Sequence, residues 1–163
     1  MSGGTMIERL VLVRHGDAEF YGPDGTDLSR RLTVEGAEAL KAAYPEIFSR
    51  LASEQEVAFW VSPAVRALET AEIAAETLNI DPDEFFIHES LYEQDDDMFQ
   101  MELYAEGEGC VIAVGHVPFM HRFLWELTGE DIAFGKGSVA CVTFDEGDVS
   151  HAKLEWFAEG PDV

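Results

Sequence analysis

The chain has 163 residues, of which 47% are hydrophobic and 11% aromatic; this is enough for one sizeable core, and we expect a single domain over residues 1–163. Ten lysines and arginines stand against 33 aspartates and glutamates, and the formal net charge of −23 argues against nucleic acid and anionic membranes as partners. No stretch is long and apolar enough to span a bilayer and the first residues lack signal-peptide features, so we expect a cytoplasmic location.

The first predicted elements are a buried strand, a loop and a helix. Residues 7–13 are a run of branched apolar residues that stops at a cation, an imidazole and a glycine, which is typical of a buried strand. A dense Gly-Pro-Asp-Gly turn signal predicts a loop over residues 20–31. Thr33 can cap a helix that extends to about Ala52, with a kink or break expected at Pro45.

A second strand–helix unit follows in the middle of the chain. Residues 57–61 form a short apolar run that predicts another buried strand. Ser62 followed by Pro63 has the pattern of a helix start, with a capping oxygen and then a proline in the first turn. We expect a further strand over residues 85–88, and then a short helix that ends at about Tyr104.

The last third of the chain predicts one more buried strand, a helix and a strand pair. The strand covers residues 110–114, and the helix covers residues 118–127 and closes near Gly129. Residues 139–144 and 151–157 alternate like a terminal antiparallel pair. Because strands alternate with helices, we expect a three-layer α/β domain.

Three of these strand-to-helix junctions carry polar side chains of a similar kind. The carboxyl ends of parallel strands meet at one edge of a sheet, where ligands bind in open α/β folds. Two guanidiniums and two imidazoles would therefore face a common cavity, with helix N-termini nearby. The junction residues are Arg14, His15 and Gly16 in the first, Ser62 to Ala71 with Arg66 in the second, and Gly115 and His116 in the third.

This set of side chains suits phosphoryl transfer, which depends on positioning and on stabilisation of the negative oxygens. Arg14 and Arg66 can each bind two oxygens through a planar guanidinium, and His116 can donate a further hydrogen bond. An unprotonated nitrogen of His15 can attack phosphorus in line. The residues themselves therefore predict a phosphoryl-transfer site.

The motifs resemble those of the histidine phosphatases, the phosphoglycerate mutase-like superfamily. Arg-His-Gly, Ser-Pro-x-x-Arg-Ala-x-x-Thr-Ala and Gly-His-x-Pro occur here in that family's order, and the similarity spans about residues 10–144. The short, SixA-type branch of phosphohistidine phosphatases is the most similar. Four further segments carry this likeness: Arg14 to Ala18, Arg30 to Gly36, Leu91 to Glu93 and Gly137 to Ala140.

The resemblance implies an α/β fold, a three-layer α/β/α sandwich with a mostly parallel central sheet. It also implies a phosphatase that forms a transient phosphohistidine at His15 and uses no metal or organic cofactor. Arg14, Arg66 and His116 would complete the catalytic set. The implied substrate-binding residues are Arg14, Gly16, Arg30, Arg66 and His116.

The leaving group stays open at this stage. Glu93 falls where many members of the superfamily place a general acid, but a solvent-facing loop carboxylate is an equal alternative. The favoured substrate is phosphohistidine in a protein, and the alternative is a small phosphate ester on the same site. A phosphate- or phosphoprotein-binding module without turnover is a third hypothesis.

Overall fold

The computed structural model of the protein describes residues 6–145 and 148–162. Within these residues the strands are β1 Met6–Arg14, β2 Val57–Val61, β3 Phe86–Ile87, β4 Glu108–Gly115, β5 Val139–Asp145 and β6 Asp148–Ala158. The helices are α1 Val34–Ser49, α2 Val65–Thr77, α3 Glu89–Glu93, α4 Asp96–Glu106 and α5 Phe119–Thr128, with a 3-10 turn at Pro82–Glu84. None of these helices is long and apolar enough to cross a membrane.

The strands form one sheet in the order β3-β2-β4-β1-β5-β6. β1, β2, β3 and β4 run parallel to one another, whereas β5 lies antiparallel to β1 and β6 antiparallel to β5. This arrangement confirms the predicted α/β fold with a mostly parallel sheet. It also brings the carboxyl ends of β1, β2 and β4 to the same edge.

Side chains of β1 alternate between two hydrophobic cores, one on each face of the sheet. Val11 and Val13 pack into the core that includes buried residues of α1 and α2, whereas Leu10 and Leu12 pack into the core formed with α4 and α5. All four side chains are fully buried. Burial of each contributes about 1.5–3 kcal/mol, so the central strand is firmly anchored up to the point where the polar residues begin.

Helix α1 differs from the prediction in its continuity and its length. The Thr33 hydroxyl caps it by accepting from the Gly36 backbone N–H at 2.9 Å, as expected. However, the helix passes through Pro45 and ends at Ser49 instead of Ala52. Buried neighbours of Pro45 in the same helix offset the backbone hydrogen bond that proline removes.

The predicted cap of the second helix was wrong. Helix α2 begins at Val65, and its N-cap is Ala64, which makes no side-chain cap. The Ser62 hydroxyl instead accepts from the Ala64 N–H at 3.2 Å and lies 2.8 Å from a ring nitrogen of His116. Ser62 therefore connects the end of β2 to the end of β4, because its hydroxyl is a hydrogen-bond partner of the His116 ring.

Two other secondary-structure elements differ from the prediction. The predicted strand over residues 85–88 is confined to Phe86–Ile87, and the short helix α3 follows where no helix was expected. A five-residue helix that ends at a left-handed Gln94 has too few turns to show a 3.6-residue hydrophobic period. The tip of the predicted turn between β5 and β6, residues 146–147, lies outside the described residues.

Candidate active site

The three polar junctions lie together in one pocket at the carboxyl ends of β1, β2 and β4. Its volume is about 470 Å³. Three of the chain's ten basic residues line it, together with both junction histidines. The lining residues are Arg14, His15, Asp27, Arg30, Arg66, Tyr92, Gln94, His116 and Val117.

His15 is held as a neutral imidazole with a defined tautomer. Its Nδ1 lies 2.7 Å from the Gly16 carbonyl oxygen, and a carbonyl can only accept, so Nδ1 carries the proton. The lone pair is therefore on Nε2. Burial and the nearby guanidiniums of Arg66 and Arg14 lower the pKa of His15 to about 4. At neutral pH the ring is uncharged and can act as a nucleophile.

Gly16 provides close packing directly behind the nucleophile. A Cβ at this position would lie 2.8 Å from Leu40 Cδ1. The backbone N–H of Gly16 donates to the Thr70 hydroxyl at 3.1 Å, which ties the β1 junction to α2. Gly16 is buried and is not part of the pocket lining, so its predicted contact with substrate stays a prediction.

The two junction arginines present unused donors. Arg14 Nη1 donates to the Phe134 carbonyl oxygen at 2.9 Å, and both terminal nitrogens of Arg66 donate to Asp27. The Nε–H groups of Arg14 and Arg66 are buried and have no hydrogen-bond partner among residues 6–145 and 148–162. A buried N–H without a partner is unfavourable, and both arginines belong to the residues that line this pocket.

His116 is buried and lines the same pocket as His15. Its ring centroid is 5.2 Å from that of His15, and its Nε2 lies 2.8 Å from the Ser62 hydroxyl. Burial, followed by the charge interactions with His15 and Arg66, lowers the pKa of His116 to about 3. A neutral ring with one nitrogen engaged by Ser62 retains its second nitrogen for a ligand oxygen.

The sequence profile of the histidine phosphatase superfamily (branch 1) matches residues 10–106, more than half of the chain. The chain belongs to this superfamily. A comparison with curated protein sequences gave no match. Among solved structures, the protein histidine phosphatase SixA complexed with tungstate is 25% identical, with a TM-score of 0.75 over 93% of this chain and 96% of that one. Membership of this superfamily identifies the protein as a phosphatase.

Other solved structures share the fold at lower identity. A protein of Agrobacterium tumefaciens, assigned as a phosphohistidine phosphatase SixA, is 21% identical, with a TM-score of 0.72 over 93% of this chain and 97% of that one. The mycobacterial glucosyl-3-phosphoglycerate phosphatase is 13% identical, with a TM-score of 0.65 over 95% of this chain and 99% of that one. Both support the phosphoglycerate mutase-like architecture.

Sequence reasoning missed three pocket residues of this histidine phosphatase: Asp27, Tyr92 and Gln94. The Asp27 carboxylate accepts from Arg66 Nη2 at 3.0 Å, from Arg30 Nη1 at 2.9 Å and from the Tyr92 hydroxyl at 2.8 Å. Arg30 also donates to the Glu19 carbonyl oxygen at 2.7 Å, so it lies at the base of the loop. The Leu-Tyr-Glu motif was the one available signal for Tyr92.

Glu93 lies next to the pocket in sequence but does not line it. Its side chain is exposed at the end of α3, whereas the residues on either side of it, Tyr92 and Gln94, both belong to the lining. The assignment of Glu93 as a general acid stays a prediction. Because Glu93 lies outside the pocket lining, its role as an acid can be tested without changing the residues that would bind phosphate.

Proposed function

We propose that this histidine phosphatase hydrolyses phosphohistidine in proteins, through a covalent phosphohistidine on His15 and without a metal ion. The observation that carries the proposal is that Arg14 and Arg66 line the pocket of a neutral His15 and that each has a buried Nε–H without a partner in the part of the chain that the structure describes. Fixed guanidinium donors stabilise the charge on the oxygens of a transferring phosphoryl group. The likeness to SixA supports the same substrate class.

In the proposed first step, the lone pair on His15 Nε2 forms a bond to phosphorus. The bond between phosphorus and the substrate imidazole breaks, and its electron pair stays on the departing nitrogen. When the other nitrogen of that imidazole is protonated, the leaving group departs as a neutral ring and needs no further proton. Arg14, Arg66 and His116 donate to the phosphoryl oxygens throughout.

In the second step, water attacks phosphorus and the bond to His15 Nε2 breaks. The electron pair of that bond returns to the ring. The ring keeps its proton on Nδ1, which continues to donate to the Gly16 carbonyl oxygen. The phosphoryl group and the water together leave as dihydrogen phosphate. No proton has to enter or leave the enzyme for this balance, and His15 is restored in its starting tautomer.

The acidic residues of the pocket favour a substrate with a phosphorus–nitrogen bond over an alkyl phosphate ester. An alkoxide leaving group needs a proton as its bond to phosphorus breaks. Asp27 is the only acidic residue among the described residues that line the pocket. Burial raises the pKa of Asp27, but hydrogen bonds from Arg30, Tyr92 and Arg66 outweigh it and hold that pKa well below its usual range. Asp27 is therefore ionised at neutral pH and is a poor proton donor.

Trapping the intermediate tests this proposal. The full chain is mixed with phosphorus-labelled phosphoramidate, quenched rapidly in base, and digested for mass spectrometry. We expect a labelled adduct that is stable in base, labile in acid, and located on the peptide that contains His15. Binding of phosphate without any adduct would instead support the hypothesis of a binding module that lacks turnover.

A phosphomonoesterase that uses Glu93 as its acid is the second candidate, because α3 carries Glu93 next to the pocket residue Tyr92. Since Glu93 is exposed, we expect Glu93→Gln to change kcat on a phosphoramidate by less than about threefold. The measurement pairs this substrate with an alkyl phosphate. A loss of about 10²-fold or more on the ester alone would favour the second candidate.

A further inference from the structure

Asp27 places a carboxylate in the same pocket as the phosphate-binding donors. One carboxylate oxygen accepts from Arg30, and the other accepts from both Arg66 and the Tyr92 hydroxyl. The Asp27 backbone carbonyl accepts from the second terminal nitrogen of Arg66 at 2.8 Å. One loop residue therefore binds three hydrogen-bond donors that line the pocket.

The contacts of Arg66 make this arrangement more than a surface ion pair. The Arg66 side chain is 7% exposed, so its charge is screened little by solvent, whereas the Asp27 side chain is 50% exposed. Both terminal nitrogens of Arg66 are engaged by Asp27, and its Nε–H is without a partner among the described residues. A bound oxyanion would share one guanidinium with an ionised carboxylate, and two like charges in this setting repel.

We infer that Asp27 is an internal anion that weakens the binding of free phosphate and so favours release of the product. The inference rests on the proposed function, because it assigns phosphate to the pocket of His15. Removing the charge while keeping an amide oxygen for Arg66 should strengthen phosphate binding. A residue that only held Arg66 in place would have the opposite effect, because its loss would disorder a phosphate-binding donor.

The experiment is a calorimetric titration of the full chain with inorganic phosphate at one fixed ionic strength. We expect Asp27→Asn to lower the Kd for phosphate by about tenfold or more, because one like charge leaves the pocket. The matched control is Glu19→Gln, which removes one exposed negative charge from the segment between β1 and α1, outside the pocket lining. It should change the Kd by less than about twofold, since exposed charges are screened.

Thermal unfolding of each variant shows that the comparison is between folded proteins, and Asp27→Ala provides a second variant that also removes the charge. An unchanged or higher Kd in folded Asp27→Asn and Asp27→Ala, with phosphate bound by the unmodified chain, overturns the inference on Asp27 and leaves the proposed function standing. Absence of phosphate binding in every form overturns both.

Discussion

Replacing His15 with alanine should lower kcat on a phosphoramidate by at least about 10⁴-fold and abolish the base-stable adduct, because no other group takes over the attack on phosphorus. The pocket should still bind phosphate, since the donors on Arg14, Arg66 and His116 remain. Steady-state kinetics, adduct trapping and phosphate titration on the same preparation separate loss of the nucleophile from loss of the pocket.

The matched control for this variant is His121→Ala. His121 is an exposed imidazole on α5 that pairs with Asp131, and it does not line the pocket. We expect kcat to stay within about twofold of the unmodified chain, as for most surface substitutions. Retention of more than about 1% of kcat in His15→Ala would contradict the assignment of the nucleophile, since a lost nucleophile removes far more.

The convergence of the polar junctions could be predicted from the sequence because it follows from general rules of the fold. A buried apolar run that ends at Arg14 and His15 defines a strand and its carboxyl end, and parallel strands share that edge. Arg66 and His116 follow β2 and β4, which lie side by side next to β1 and end at the same edge. Local pattern and sheet topology together were sufficient, and no side-chain detail was needed.

The contacts of Asp27 could not be predicted in the same way. They join a loop residue to Arg66 and Tyr92, which are 39 and 65 positions away, so they depend on the path of an irregular segment. An exposed aspartate in a turn-rich loop is ordinarily solvated. The Ser62 hydroxyl was misassigned for a related reason: a helix cap is a local pattern, whereas its contact with His116 spans 54 positions.

The tautomer of His15 shows a third limit. Sequence reasoning required an unprotonated ring nitrogen but could not say which one. The choice follows from one distance, between Nδ1 and the Gly16 carbonyl oxygen, and that distance depends on the backbone path behind the nucleophile. Packing of Gly16 against Leu40 restricts this path, so the core of α1 contributes to the chemistry of the site.

Substituting Arg66 with lysine should lower kcat/KM by about 10²- to 10³-fold, the usual range for removal of one donor that stabilises a developing oxyanion. Because this substitution keeps the positive charge, the loss of kcat/KM measures the contribution of the guanidinium geometry. A lysine ammonium lacks the planar arrangement by which Arg66 bonds Asp27 with both terminal nitrogens and carries a third, buried donor at Nε, which has no partner among the described residues.

Arg31→Lys is the control for Arg66→Lys, because Arg31 is an exposed cation at the end of the loop over residues 20–31 and lies outside the pocket lining. It should leave kcat/KM within about twofold. A loss of less than about threefold in Arg66→Lys would mean that a point charge is enough at this position. In that case the fixed Nε–H of Arg66 would not be a phosphate donor, and the observation on which the proposed function depends would lose its force.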